Sequence, residues 1–240
     1  MLRRLYARLK PVVRKPPPIW EVAARRASDD GTQFSQECGE GFTLGRYEKD
    51  GAHDYNTYRA IQEIGNRAKV ESIFTTPEVI GAVAEHAIRK LRDVKRVLCH
   101  GTRNGAEQSW FKANCPDAVV LGTDISTTAT QFPMTICWDF HDLREDWLGS
   151  WDVIYSNSWD HSYSPDKMFD AWARSLRGGG LLYLEHTREH ERVDHLDLFG
   201  ATPVALRQIV GGNGLSYLET LEPPPANGLE RCVLVFARLP

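Results

Sequence analysis

From residue 94 onward the chain alternates between two patterns. Short apolar runs at 95–100, 118–123, 134–138, 151–156 and 181–185 are separated by helically spaced stretches at 105–114 and 165–176. Brief apolar runs bounded by turn residues read as buried strands, and 3.6-residue spacing reads as helices. A helix follows at 202–211. Strands at 215–221 and 231–238 come last, joined by Pro223-Pro224-Pro225-Ala226-Asn227-Gly228 with no helix between them. This alternation predicts an α/β fold: a seven-stranded, mostly parallel sheet with helices on both faces. The last two strands should pair antiparallel at one edge.

The first third reads differently. Residues 54–69 predict a helix with Tyr55, Tyr58, Ile61, Ile64 and Ala68 on one side. Thr76, Pro77 and Glu78 make a helix start, with an N-cap, a proline in the first turn and an acid at the positive end. That helix runs to about residue 91 on a stripe of Ile80, Val83, Ala84, Ala87, Ile88 and Leu91. Residues 27–53 are polar and glycine-rich and predict a loop with one short hairpin at 42–47, serving either as a lid or as ordinary linker. Leu2, Leu5, Tyr6 and Leu9 share a helical face among basic residues, before Pro11 and a stiff Pro16-Pro17-Pro18 link. The expected division is a basic arm and glycine-rich loop at 1–53 and one domain at 54–240. Within the domain, helices occupy 54–92 and the core 94–240.

Length and composition narrow the class. At 240 residues and 42% apolar, the chain can build one α/β domain with a sizeable core and an appendage. It shows neither a membrane-length apolar run nor a signal-peptide pattern. Cys38, Cys99, Cys115, Cys137 and Cys232 are scattered without a paired motif, which points to reduced thiols and a cytoplasmic setting. Charge is uneven. Residues 1–26 carry eight Lys/Arg and one Glu, a net of +7, and leave −10 for the rest. A basic arm on an acidic body is not the pattern of a nucleic-acid-binding domain. It fits peripheral contact of residues 1–15 with an anionic membrane surface, a frayed terminus, or a helix docked on the protein's own body.

The chemistry gathers where apolar runs end. Val97-Leu98-Cys99-His100 feeds the loop Gly101-Thr102-Arg103-Asn104-Gly105, and a helix follows. Asp124 lies nineteen residues past Gly105, at the end of the next apolar run. Glycines let a backbone pass close to a ligand, and an acid at the next strand tip can accept both hydroxyls of a ribose.

With Trp138-Asp139-Phe140-His141-Asp142-Leu143, the strand 151–156 followed by Asn157-Ser158-Trp159-Asp160-His161, and the turn Arg177-Gly178-Gly179-Gly180, the order resembles a class I S-adenosylmethionine-dependent methyltransferase. The resemblance covers roughly 75–240 and implies S-adenosyl-L-methionine as cofactor. It places Gly101, Thr102, Arg103 and Gly105 under the methionine and ribose, and Asp124 on the ribose hydroxyls. It places Ile125 on the adenine face, Asp139 on the adenine amino group and the Phe140 backbone on the ring edge. Two positions depart from the family pattern: Cys99 stands where an acid is usual, and Arg103 where a glycine is usual. Glu107 is the candidate replacement for the missing acid; its other reading is a helix-start acid favoured by the dipole.

For methyl transfer the protein mainly aligns the acceptor and receives its proton. His161 is the candidate general base, with Asp160 orienting it or acting alone, and Asn157 is a candidate contact to cofactor or acceptor. The bland alternative is that residues 160–163 only cap the next helix. In the polar segment 185–195, Glu185 and His186 are the candidate metal ligands, at a spacing that matches no metal signature, so no metal is assigned. The expected acceptor is a hydroxyl of a small molecule or a sugar or glycan. Competing readings are an NAD(P)-dependent oxidoreductase, against which the loop lacks GxGxxG spacing, and a non-catalytic binding protein on the same fold.

Overall fold

The computed structural model describes residues 17–224 and 230–240. The helix and the membrane contact expected before residue 16 lie outside the described residues, as does the turn at 225–229.

Helix α1 (Ile19–Asp29) starts directly after Pro18 and buries Ala24. Strands β1 (Gln33–Gly39) and β2 (Phe42–Lys49) form a hairpin, and β3 (Ala52–His53) folds back on β2. The segment expected as a loop is therefore a small sheet, and 42–47 is one strand of a longer hairpin. The physical reason is exposure: six of the seven β1 residues face solvent, so it carries no apolar alternation. Helix α2 (Tyr55–Ala68) is capped by Asp54, whose carboxylate accepts from the Thr57 N–H at 3.0 Å. Helix α3 (Pro77–Leu91) has the expected Thr76 cap and first-turn proline.

The main body follows: β4 (Arg96–His100), α4 (Ala106–Asn114), β5 (Val119–Asp124), β6 (Thr135–Cys137), β7 (Trp151–Ser156), α5 (Pro165–Ser175) and β8 (Leu176–Thr187). Then come β9 (Phe199–Ala201), α6 (Pro203–Gly212), β10 (Leu215–Leu221) and β11 (Arg231–Arg238). Seven strands make one sheet in the order β10-β11-β8-β7-β4-β5-β6. Pairs within β8-β7-β4-β5-β6 are parallel, and β11 runs antiparallel to both β8 and β10. The antiparallel end hairpin is as expected; β11 itself lies inside the sheet and β10 forms the edge. The glycine turn at 177–180 belongs to β8, and a register shift opposite Trp151 and Val153 absorbs it.

Strand alternation splits the core. Leu98 and Ile154 pack with Trp172, Phe169 and Leu206 on one face, while Cys99 and Val153 pack with Val83, Ala87 and Phe111 on the other. A third cluster joins Tyr47, Tyr58, Ile61, Leu196 and Leu198 between the small sheet and α2. Strand β9 pairs with β2, tying the N-terminal hairpin to the segment that follows β8. In this way α2 and residues 188–198 roof the end of the sheet where the parallel strands β4, β5, β7 and β8 finish. No described helix is long and apolar enough to cross a membrane.

Candidate active site

The roofed crevice has two halves that share Gly101, Arg103, Ser158 and His161. Crevices at the carboxyl ends of parallel strands are where open α/β sheets bind ligands.

The inner half holds the residues expected from the sequence to meet a nucleotide. Gly101 takes φ +73°, and a Cβ there would stand 2.6 Å from the Ser158 Cβ, so only glycine lets the chain pass. Arg103 also takes a left-handed backbone, φ +42°, the conformation for which glycine is usual. Asp124 accepts from the Arg103 N–H at 2.9 Å, the Ser126 N–H at 2.8 Å and the Asn66 side-chain amide at 2.7 Å. Burial pushes its carboxyl above the usual range. Asp139 accepts from the His141 N–H and Nδ1 on one oxygen and from the Tyr55 hydroxyl on the other, at 2.7–2.9 Å. Although burial opposes it, these donors hold its carboxyl below the usual range. Ile125 and Phe140 line the same space. With α2 seated, that space is only about 30 Å3, room for one or two waters.

The outer half is a cavity of about 330 Å3. Thr102, Glu107, Asn157, Asp160, His161 and Glu185 are among its lining residues. Glu107 is 6% exposed, its Oε2 has no hydrogen-bond partner, and burial pushes its carboxyl up to about 7. Cys99 lies in the α3/α4 core, its thiol raised by burial and then by the Glu107 charge, so the acid on this side comes from the helix and not from the strand. Arg103 reaches outward, its Nη1 donating to the Ser72 carbonyl at 3.3 Å with Phe74 beneath its guanidinium. Thr102 turns its hydroxyl to Gln108 and offers the cavity little beyond its backbone.

His161 sits in a 3-10 turn (Trp159–His161) just past β7. Its Nδ1 faces Gln62 Oε1 at 2.8 Å, while the Gln62 amide nitrogen donates to the Leu196 carbonyl at 2.6 Å. That carbonyl can only accept, so Gln62 must present its oxygen to the imidazole. His161 therefore carries a hydrogen on Nδ1, and in its neutral form Nε2 is bare. Burial, then Lys69 and Arg103, holds it well below the usual histidine range, which favours the neutral ring. Asp160 is pushed by burial up to about 7. Asp197 is raised for the same reason.

The structure thus brings Gly101, Thr102, Arg103, Glu107, Asp124, Ile125, Asp139, Phe140, Asn157, Asp160 and His161 to one crevice. Gly105 stands back from it: its φ of +76° starts α4 beneath Thr135 and Phe132. The Glu185 and His186 pairing is corrected. Neighbours on a strand point to opposite faces. Glu185 is held by Arg231 and Thr75, both at 2.6 Å, and by Tyr155. His186 donates to the Ala201 carbonyl, stacks near Trp159 and lines a different surface pocket.

Sequence reasoning missed Tyr55, Gln62 and Asn66 of α2, and Lys69, His190 and Asp197. A signal for the α2 set existed: Tyr58, Gln62 and Asn66 recur every four residues along its buried face, and polar groups on such a face need partners. Asp197 lies in irregular chain and had no local signal.

No protein-family model matches this chain, and no curated protein matches it in sequence. Solved structures do match. The 1,6-didemethyltoxoflavin-N1-methyltransferase of Burkholderia thailandensis, with bound 1,6-didemethyltoxoflavin and S-adenosylhomocysteine, aligns at TM-score 0.61 and 11% identity. The alignment covers 88% of this chain and 100% of that one. Magnesium protoporphyrin IX methyltransferase of Synechocystis, with bound S-adenosylmethionine, aligns at TM-score 0.54 and 15% identity, over 80% and 100% of the two chains. The [4+2]-cyclase SpnF aligns at TM-score 0.51 and 12% identity, over 66% and 80%. The fold is that of class I S-adenosylmethionine-dependent methyltransferases.

Proposed function

We propose that this protein transfers a methyl group from S-adenosylmethionine to a hydroxyl of a small polar molecule. The observation that supports it most is the convergence of the Gly101 passage, Asp124 and Asp139-Phe140 on the inner half of a crevice whose outer half is an open cavity of about 330 Å3. That volume suits one small ligand. The residues fit the cofactor in kind. Asp124 would hold the ribose, Asp139 and the Phe140 backbone the adenine, and Arg103 and Glu107 the charged ends of the methionine. Bound there, the cofactor would supply an activated methyl group on a sulfonium. Asn66 and Tyr55 now hold the two nucleotide-side carboxylates, so entry requires α2 to withdraw from the sheet.

On the acceptor side, the bare Nε2 of neutral His161 can take the proton of a hydroxyl, with Asp160 beside it. Lys69 and Arg103 give the cavity a cationic wall opposite these acids, which suits an acceptor that is polar and carries an anionic or sugar-like part. Calorimetry with S-adenosylhomocysteine and with NAD tests the reading. Binding of the first and not the second is expected. Binding of NAD alone would overturn it. The closed inner half favours one rival, a methyltransferase-fold protein without activity, and binding of neither ligand would support that.

A further inference from the structure

Three side chains with lone pairs converge in the outer cavity. His161 commits Nδ1 to Gln62 Oε1, so Nε2 is the nitrogen turned to the group. Asp197 Oδ1 faces that nitrogen at 3.3 Å. Asp160, 7% exposed, completes the group, with one ligating atom from each residue lying within 4.8 Å of the other two. Neither Asp160 Oδ1 nor Asp197 Oδ1 has a hydrogen-bond donor among the described residues. Lys69 lines the same cavity but holds its ammonium over the Trp20 and Phe74 rings. His190, 4.0 Å from Asp160, takes the Thr187 N–H on Nδ1 and gives its Nε2 hydrogen to the Asn157 carbonyl. Buried acceptors left facing one another without a donor are costly, and a proton or a cation between them relieves that cost.

The spacing says which guest. Two atoms each roughly 2.0–2.2 Å from one metal, at tetrahedral or octahedral angles, stand about 2.8–3.6 Å apart. Two acceptors sharing an ammonium at about 2.8 Å stand roughly 4.6 Å apart. The 3.3 Å between His161 and Asp197 lies within the first range, and the three ligating atoms all lie within 4.8 Å of one another. We propose that Asp160, His161 and Asp197 form a binding site for one divalent transition-metal cation, open to the cavity on its remaining sides. One imidazole and two carboxylates favour zinc or manganese over magnesium. Gln62 is the group that fixes the imidazole tautomer, as the outer partner of a metal-ligating histidine does. When the cation is bound, His161 is a ligand and not a proton acceptor, and an acceptor hydroxyl would meet the metal. The site needs no cofactor, so it stands or falls separately from methyl transfer.

The test is calorimetric titration of the metal-stripped full chain with zinc and with manganese, followed by thermal melting with and without each ion. One saturable site is expected, together with a melting temperature raised by the ion. Asp197→Asn should weaken binding by at least about tenfold and abolish the melting shift, with an unchanged circular dichroism spectrum. Asp197 is the safer position to alter because a third of its side chain is exposed. Asp160→Asn should act alike. Absence of saturable binding by the native protein would overturn the proposal, and so would undiminished binding by both variants. S-adenosylhomocysteine binding, measured on the same samples, reports separately on the methyl-transfer reading.

Discussion

The two halves of the crevice are built from the same strand ends yet are opposite in state. In the inner half every carboxylate is satisfied from within: Asp124 by Asn66, Ser126 and Arg103, Asp139 by Tyr55 and His141. Three of the four lone-pair sites on Asp124 are used. In the outer half, Glu107, Asp160 and Asp197 each keep a buried oxygen without a donor. The inner half is thus satisfied and closed, and the outer half is open with acceptors left without donors. A ligand entering the inner half exchanges hydrogen bonds, whereas a cation entering the outer half relieves a deficit. The contrast implies that α2 latches the inner half through Asn66 and Tyr55, while its Gln62 holds His161 of the outer half.

The largest break in this comparison comes from Asp124→Ala. It removes the carboxylate that both α2 and a ribose would use, and S-adenosylhomocysteine affinity should fall by about a hundredfold or more; titration calorimetry reads it. Next is Glu107→Gln, which acts through stability. The folded pKa of Glu107 lies above its ordinary value, at about 7 against 4.5. Between those values the folded state holds the proton and the unfolded state releases it, so native stability falls as pH rises from 4.5 to about 7 and stays reduced above. The neutral amide should therefore raise stability at pH 8 by about 1–3 kcal/mol and leave it little changed at pH 4.5. Urea unfolding at the two pH values checks the sign.

Smaller effects sharpen the latch. Asn66→Ala frees one Asp124 lone pair without touching the cofactor's own contacts, and S-adenosylhomocysteine should bind about three- to tenfold more tightly. A weaker affinity would show that Asn66 holds the ligand and does not compete with it. Tyr55→Phe is the mildest change, because Asp139 keeps both His141 donors; a gain of about twofold is expected from the same titration.

The residues also show how far a one-dimensional reading reaches. The parallel strands were legible because they are buried on both faces and read as continuous apolar runs, as Val97-Leu98-Cys99 and Val153-Ile154-Tyr155 do. Gly101 and Asp124 were legible as candidates because a βαβ unit places loop and strand-end residues at fixed spacing, and Asp139 came from the family resemblance. Strand β1 was not legible, since its exposed residues leave no apolar alternation. Glu185 was misjudged as a metal candidate because Arg231, its partner, lies 46 positions away.

By itself the sequence determined the sheet, the helices that cover it and the candidate residues at its strand ends, since local burial periodicity and strand-end spacing carry them. Only the tertiary structure decided what each acid meets. Asn66 reaches Asp124 across 58 positions, Tyr55 reaches Asp139 across 84, and Gln62 sets the hydrogen of His161 across 99. Such pairings depend on how α2 and the segment after β8 close over the sheet. A carboxylate's charge, its partners and its readiness for a ligand follow from that closure, because burial and hydrogen bonding are properties of the packed surroundings and not of the residue.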